Sequence, residues 1–112
     1  MSQLTTHILD TSTGKPAEGV AVILEQKTNG AWKKIANGIT DADGRISDLL
    51  ATGAYLENGI YRLLFETKAY FTRQDKKTFY PEISIEFFVT DRSHYHVPLL
   101  LNPFGYSTYR GS

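Results

Sequence analysis

Short apolar stretches recur along the chain at intervals of about ten residues, each closed by Gly, Pro, Asn, Asp or Ser, which is the spacing of strands and tight turns rather than of helices. The first predicted strand is Leu4 to Asp10, closed by a turn over Ser12 to Pro16. In the second, Val20 to Lys27, Val20, Val22 and Leu24 share one face, with Glu25 and Lys27 on the other. Asn29-Gly30 then supplies two positions that tolerate positive φ, the strongest short hairpin signal, and joins it to a third strand, Ala31 to Asn37, which carries the only tryptophan. A turn at Asp43-Gly44 precedes Arg45 and a short fourth strand, Ile46 to Leu50. The fifth, Gly59 to Glu66, buries Tyr61, Leu63 and Phe65; the sixth, Ile83 to Val89, buries Ile83, Ile85, Phe87 and Val89. The seventh, Tyr95 to Leu101, turns Val97, Leu99 and Leu101 inward, and Asn102-Pro103 leads to a last strand from Phe104 to about Tyr109. Lys68 to Gln74 does not alternate and reads as a short helix or a loop. The pattern predicts an all-β fold, an eight-stranded antiparallel two-sheet sandwich.

Composition narrows the functions open to such a fold. A chain of 112 residues makes one domain, spanning 1–112. Twelve Lys and Arg balance twelve Asp and Glu, so no net field favours nucleic acid or an anionic membrane. The absence of cysteine excludes a disulfide scaffold, a thiol nucleophile and a thiolate metal site. The longest apolar run, Val97 to Leu101, is far shorter than the roughly 20 residues that cross a bilayer. Met1-Ser2-Gln3 leads directly into the first strand, without the pattern of an export leader, so the expected location is cytoplasmic. A sandwich of this size has open edges, and the sixth and eighth strands carry few charges, so self-association is expected.

The three histidines are His7, His94 and His96. Alternation places His7 opposite Leu4 and Ile8, hence outward, and His94 and His96 opposite Val97, Leu99 and Leu101, hence also outward. Surface histidines without a role are one reading. A second is a metal: His94-x-His96 with His7 would leave an open zinc position, but no acidic residue nearby in sequence offers to orient the ligands. A third needs no metal. A neutral imidazole can deprotonate water near pH 7, and a fixed guanidinium beside it can hold an anionic or carbonyl oxygen. Arg45, held at a strand start, is placed for that; otherwise it is a solvated turn cation. Arg110 lies in a closing segment, Tyr109 to Ser112, that reads from position alone as a frayed tail.

Two segments resemble the signatures of a known family. Leu4-Thr-Thr-His-Ile-Leu-Asp10 and Tyr106-Ser-Thr-Tyr-Arg-Gly-Ser112 are similar to those of the 5-hydroxyisourate hydrolases, also called transthyretin-related proteins. Between them, Gly14 to Ala17, Thr40 to Arg45, Gly59 to Tyr61 and His94 to Leu100 follow the family pattern in order. The closing Tyr-Arg-Gly-Ser is the most specific piece, since transthyretin, the hormone carrier, lacks it.

The resemblance implies a transthyretin-like sandwich with one short helix after the fifth strand, assembled as a homotetramer, a dimer of dimers with active sites at the dimer–dimer interface. It implies a metal-independent, cofactor-free hydrolase of urate degradation that opens the six-membered ring of 5-hydroxyisourate to 2-oxo-4-hydroxy-4-carboxy-5-ureidoimidazoline. The catalytic residues it implies are His7, Arg45, His96 and Ser112, with Tyr109 hydrogen bonding in the pocket. Arg110 either contacts substrate or anchors the tail. The same fold could instead serve as a non-enzymatic carrier of aromatic ligands, or as an interaction module without chemistry.

Overall fold

The computed structural model describes residues 2–112 and places nine strands and one helix in two sheets. In chain order the elements are β1 (Leu4–Asp10), β2 (Lys15–Pro16), β3 (Ala21–Thr28), β4 (Ala31–Ile39), β5 (Arg45–Ile46), β6 (Gly59–Phe65), α1 (Thr67–Thr72), β7 (Ile83–Val89), β8 (Tyr95–Asn102) and β9 (Gly105–Thr108). One sheet runs β2-β1-β8-β9, with β5 also pairing on β1; the other runs β4-β3-β6-β7.

The alternation read from the sequence is what the two sheets bury between them. Leu4 and Ile8 of β1 and Tyr95, Val97, Leu99 and Leu101 of β8 face Val22, Leu24, Tyr61, Leu63, Phe65, Ile83, Ile85 and Val89 of the other sheet. Full burial of a side chain such as Leu63 or Phe65 stabilises the fold by about 1.5–3 kcal/mol. At the β3–β4 hairpin Asn29 and Gly30 have φ of 52° and 78°, the pair of positive values that their sequence predicts. Helix α1 buries Tyr70 and Phe71 at one end of the sandwich, and the Tyr70 hydroxyl donates to the buried Asp10 carboxylate at 2.8 Å.

The two-sheet sandwich is as expected, with four differences in detail. The first and seventh strands, β1 and β8, pair in parallel. They meet across most of the chain rather than through a hairpin, and side-chain alternation carries no information about strand direction. A two-residue strand, β2, lies on Leu9 and Asp10 where only a turn was expected, too short to leave a periodic signal. The fourth strand is limited to Arg45–Ile46 instead of Ile46 to Leu50. Leu49 and Leu50 are buried all the same, but as a loop tucked over the core, with the Leu50 amide bonded to the Ser2 hydroxyl at 3.0 Å. Finally, β9 ends at Thr108, while Gly111 rejoins the sheet as an isolated bridge to His96, so the closing segment is pinned rather than frayed. Among the described residues no helix is long and apolar enough to cross a membrane.

Candidate active site

The outer face of the β1–β8 sheet is where the polar residues gather. In β1, Leu4, Thr6, Ile8 and Asp10 turn inward, so Thr5 and His7 turn outward. Register then decides what each meets: His7 lies directly opposite Arg45 of β5, and Thr5 directly opposite His96 of β8. Opposed residues on neighbouring strands hold their Cβ atoms about 4.5–5.5 Å apart. Three elements distant in sequence therefore deliver two imidazoles and a guanidinium to one patch.

Arg45 is held by its own turn. The Asp41 carboxylate accepts from the amides of Asp43 at 2.9 Å and Arg45 at 3.0 Å. Gly44 has φ of 72° and lies so close to β1 that a Cβ would collide with the Ile8 carbonyl, and its own carbonyl accepts from the Ile8 amide at 2.8 Å. The turn is thus stapled to the strand that carries His7, and only glycine fits at the contact.

His96 is held from two sides. The Thr5 hydroxyl lies 2.8 Å from its Nδ1 and 2.9 Å from Nε2 of His94, whose ring stacks on that of His96 at 6.2 Å. On the other side the Gly111 amide donates to the His96 carbonyl at 2.8 Å, and the Gly111 Cα rests against the imidazole. This bridge carries Ser112 into a cavity of about 210 Å³ lined by Thr5, Thr6, Arg45, Ile46, Ser47, His94, His96 and Ser112. His7 does not line this cavity; it is paired with Arg45 on the neighbouring strand.

Both imidazoles are held below the ordinary value of 6.5. For His7, burial is the main cause and the Arg45 charge adds to it, opposed by a hydrogen bond from the ring to the Asp43 backbone carbonyl and by the Asp41 and Asp43 carboxylates. For His96, burial again leads, followed by His94, Arg45 and His7, with the Thr5 backbone opposing. Both rings are therefore neutral at pH 7, with lone pairs able to take a proton.

Of the residues singled out from the sequence, Arg45, His96 and Ser112 line one cavity, and His7 is paired with Arg45 on the adjoining strand. Tyr109 and Arg110 do not join them within the chain. Arg110 stacks on the Tyr95 ring at 4.3 Å and donates to the Ser93 hydroxyl and the His94 carbonyl, which anchors the tail. Tyr109, 60% exposed, lines with Arg110 a separate cavity of about 330 Å³ beside Phe87 and Phe88. Three further residues shape the site: Thr5, Gly111 and His94. The first two left no mark that sequence reasoning could use, because their roles depend on the register of non-local pairs. Among the described residues no three His, Cys, Asp or Glu side chains are arranged to hold a metal.

A two-sheet sandwich with a polar imidazole and guanidinium cavity on one outer face defines the class. The profile of the HIUase/Transthyretin family matches residues 4–111, and the chain belongs to that family. A 5-hydroxyisourate hydrolase of Salmonella typhimurium is 52% identical over 110 residues, covering 97% of this chain and 80% of the relative. The structure of Klebsiella pneumoniae 5-hydroxyisourate hydrolase superposes with a TM-score of 0.86 at 44% identity, covering 97% of this chain and 92% of that one. Sea bream transthyretin in complex with thyroxine superposes with a TM-score of 0.89 at 38% identity, covering 98% and 95%.

Proposed function

We propose that the cavity at Arg45 and His96 is the active site of a 5-hydroxyisourate hydrolase, which adds water across a ring amide of 5-hydroxyisourate and opens it to 2-oxo-4-hydroxy-4-carboxy-5-ureidoimidazoline. The observation that carries this reading is the meeting of His96, Arg45 and Ser112 in one cavity, with His7 paired on Arg45. An amide carbonyl yields to water only if the water is deprotonated as it attacks and the oxygen that becomes negative is stabilised. A neutral imidazole supplies the first function, commonly worth about 10²–10⁴-fold in rate. Arg45, with its planar array of donors, supplies the second, and it cannot lose its charge at any working pH. Ser112 completes the pocket as a hydrogen-bonding group.

The same reading includes a homotetramer. Phe88 on the edge strand β7 and Phe104 in the turn before the edge strand β9 are 68% and 69% exposed, a surface suited to pairing with another subunit. A carrier of aromatic ligands, the role suggested by the sea bream protein's thyroxine complex, fits less well. Arg45, His94, His96 and Ser112 put a charge and several hydrogen-bonding groups into this cavity that an aromatic ligand does not call for.

Mixing the protein with freshly generated 5-hydroxyisourate and following its ultraviolet absorbance tests the proposal. Decay well above the spontaneous rate is the expected outcome. An unchanged decay, with tight binding of thyroxine-like aromatics, would replace the hydrolase by the carrier.

A further inference from the structure

Thr5 occupies an unusual place: one buried hydroxyl lies between two imidazoles, 2.9 Å from Nε2 of His94 and 2.8 Å from Nδ1 of His96. A hydroxyl has one hydrogen to give and two lone pairs to receive, so at most one ring accepts from Thr5 and at least one donates to it. The chain of bonds can run in either direction, and shifting two protons reverses it. In one setting His96 carries its proton on Nδ1, donated to Thr5, which donates in turn to His94, and Nε2 of His96 is bare. The two ends differ in surroundings. His96 is half-buried, whereas His94 is exposed and also lines a second cavity, of about 180 Å³, together with Ser2, Gln3, Gly53, Ala54, Tyr55 and Arg92.

Hydrolysis of a cyclic ureide requires an exit for protons. Of the two protons of the attacking water, one ends on the departing ureide nitrogen. The other is left over, because the new carboxyl group is ionised at neutral pH and a ureide nitrogen is not basic. Each turnover thus discharges one proton, and the base must be cleared of it.

We infer that Thr5 and His94 form a proton relay that carries this proton off His96 and releases it into the second cavity. The inference rests on the hydrolase reading. As the water oxygen bonds to the carbonyl carbon, its O–H bond breaks and the proton bonds to Nε2 of His96. The Nδ1 proton of His96 passes to Thr5 Oγ1, and the Thr5 hydroxyl proton passes to Nε2 of His94. His94, now an imidazolium, loses its Nδ1 proton to solvent. The second water proton, on the hydroxyl of the tetrahedral adduct, moves to the nitrogen as the C–N bond breaks. Between turnovers the relay resets by exchange with bulk water, with no net gain of protons. Arg92 lines the outer side of His94 with its guanidinium stacked on Tyr55, Arg110 bonds the His94 carbonyl, and Arg45 and His96 face His94 across the inner cavity. Asp91, three residues before His94, is engaged by Ser93 and Tyr95. Thr5 and His94 act through His96 and are positioning residues.

The test compares kcat and KM for 5-hydroxyisourate in the wild type, Thr5→Val, Thr5→Ser and His94→Ala, with imidazole added to the last after subtraction of uncatalysed decay. Thr5→Val should lower kcat about tenfold or more with KM within about twofold, and Thr5→Ser, which keeps the hydroxyl, should recover most of the rate. His94→Ala should be slow in a non-nucleophilic buffer and regain rate as imidazole is raised, with saturation. A Thr5→Val enzyme with wild-type kcat, or a His94→Ala enzyme indifferent to imidazole, overturns the relay. Should Thr5→Val not fold, the imidazole response of His94→Ala decides alone, since His94 is exposed and outside the core. A wild type without hydrolysis would refute the hydrolase reading itself, a result separate from either of these.

Discussion

Gly111 shows how much of the site rests on single atoms. Its Cα lies against the face of His96, and an added methyl would overlap Cδ2 and press on Cγ at 3.2 Å. Its backbone is not in a conformation reserved for glycine, so Gly111→Ala would be tolerated by the chain and resisted only by the imidazole. The ring would shift off the Thr5 hydroxyl, and misplacement of a reacting group by about 1 Å costs on the order of 10²-fold in rate. Gly111→Ala should therefore lose about a hundredfold in kcat with its melting temperature nearly unchanged, measured by absorbance assay and thermal unfolding. Equal losses of stability and activity would assign Gly111 to the fold instead. His7 and His96 were placed correctly on the outer face by alternation alone, because the period-2 rule needs only the apolar neighbours Ile8 and Val97. Gly111 was not legible, since its contact depends on a tail that returns to β8 without any hydrophobic signal.

At the scale of elements, the closing segment is the informative one. From position alone Tyr109 to Ser112 reads as a loose end, yet the Gly111 bridge and the Arg110 stack on Tyr95 hold it across β8. None of its residues belongs to the core. Deletion of residues 110–112 should accordingly abolish hydrolysis while leaving the urea midpoint of unfolding within a few tenths molar. A fully active truncated protein would show that the tail has no part in the site. The strand order was less legible than the strands. Apolar spacing predicts β1, β3, β6, β7 and β8 closely, but nothing in Leu4 to Asp10 or Tyr95 to Leu101 shows that these strands lie side by side in parallel. That one pairing brings Thr5 onto His96, and so accounts for the absence of Thr5 from any reading of the sequence. Leu49 and Leu50 illustrate the converse: burial was legible, and strand was inferred from it, but the chain leaves the sheet after Ile46.

Across the whole molecule, the sandwich acts as a frame that brings together groups from β1, β5, β8 and the tail. The frame also tunes them. Burial against the sheet and the neighbouring Arg45 both disfavour the charged form of His7 and His96, so the neutral base persists to a pH below 6.5 and is lost only as pH falls through the depressed values. Removal of Arg45 takes away one depressing charge from each ring, and protonation should then set in at higher pH. The central claim, that this guanidinium and these imidazoles work as one site, is tested most directly by the pH dependence of kcat/KM for 5-hydroxyisourate in the wild type and in Arg45→Ala. The account predicts an acid limb below pH 6.5 in the wild type, and in the variant a loss of about 10²-fold or more with the limb moved upward toward 6.5. A variant with near-normal kcat/KM and an unmoved limb would contradict it.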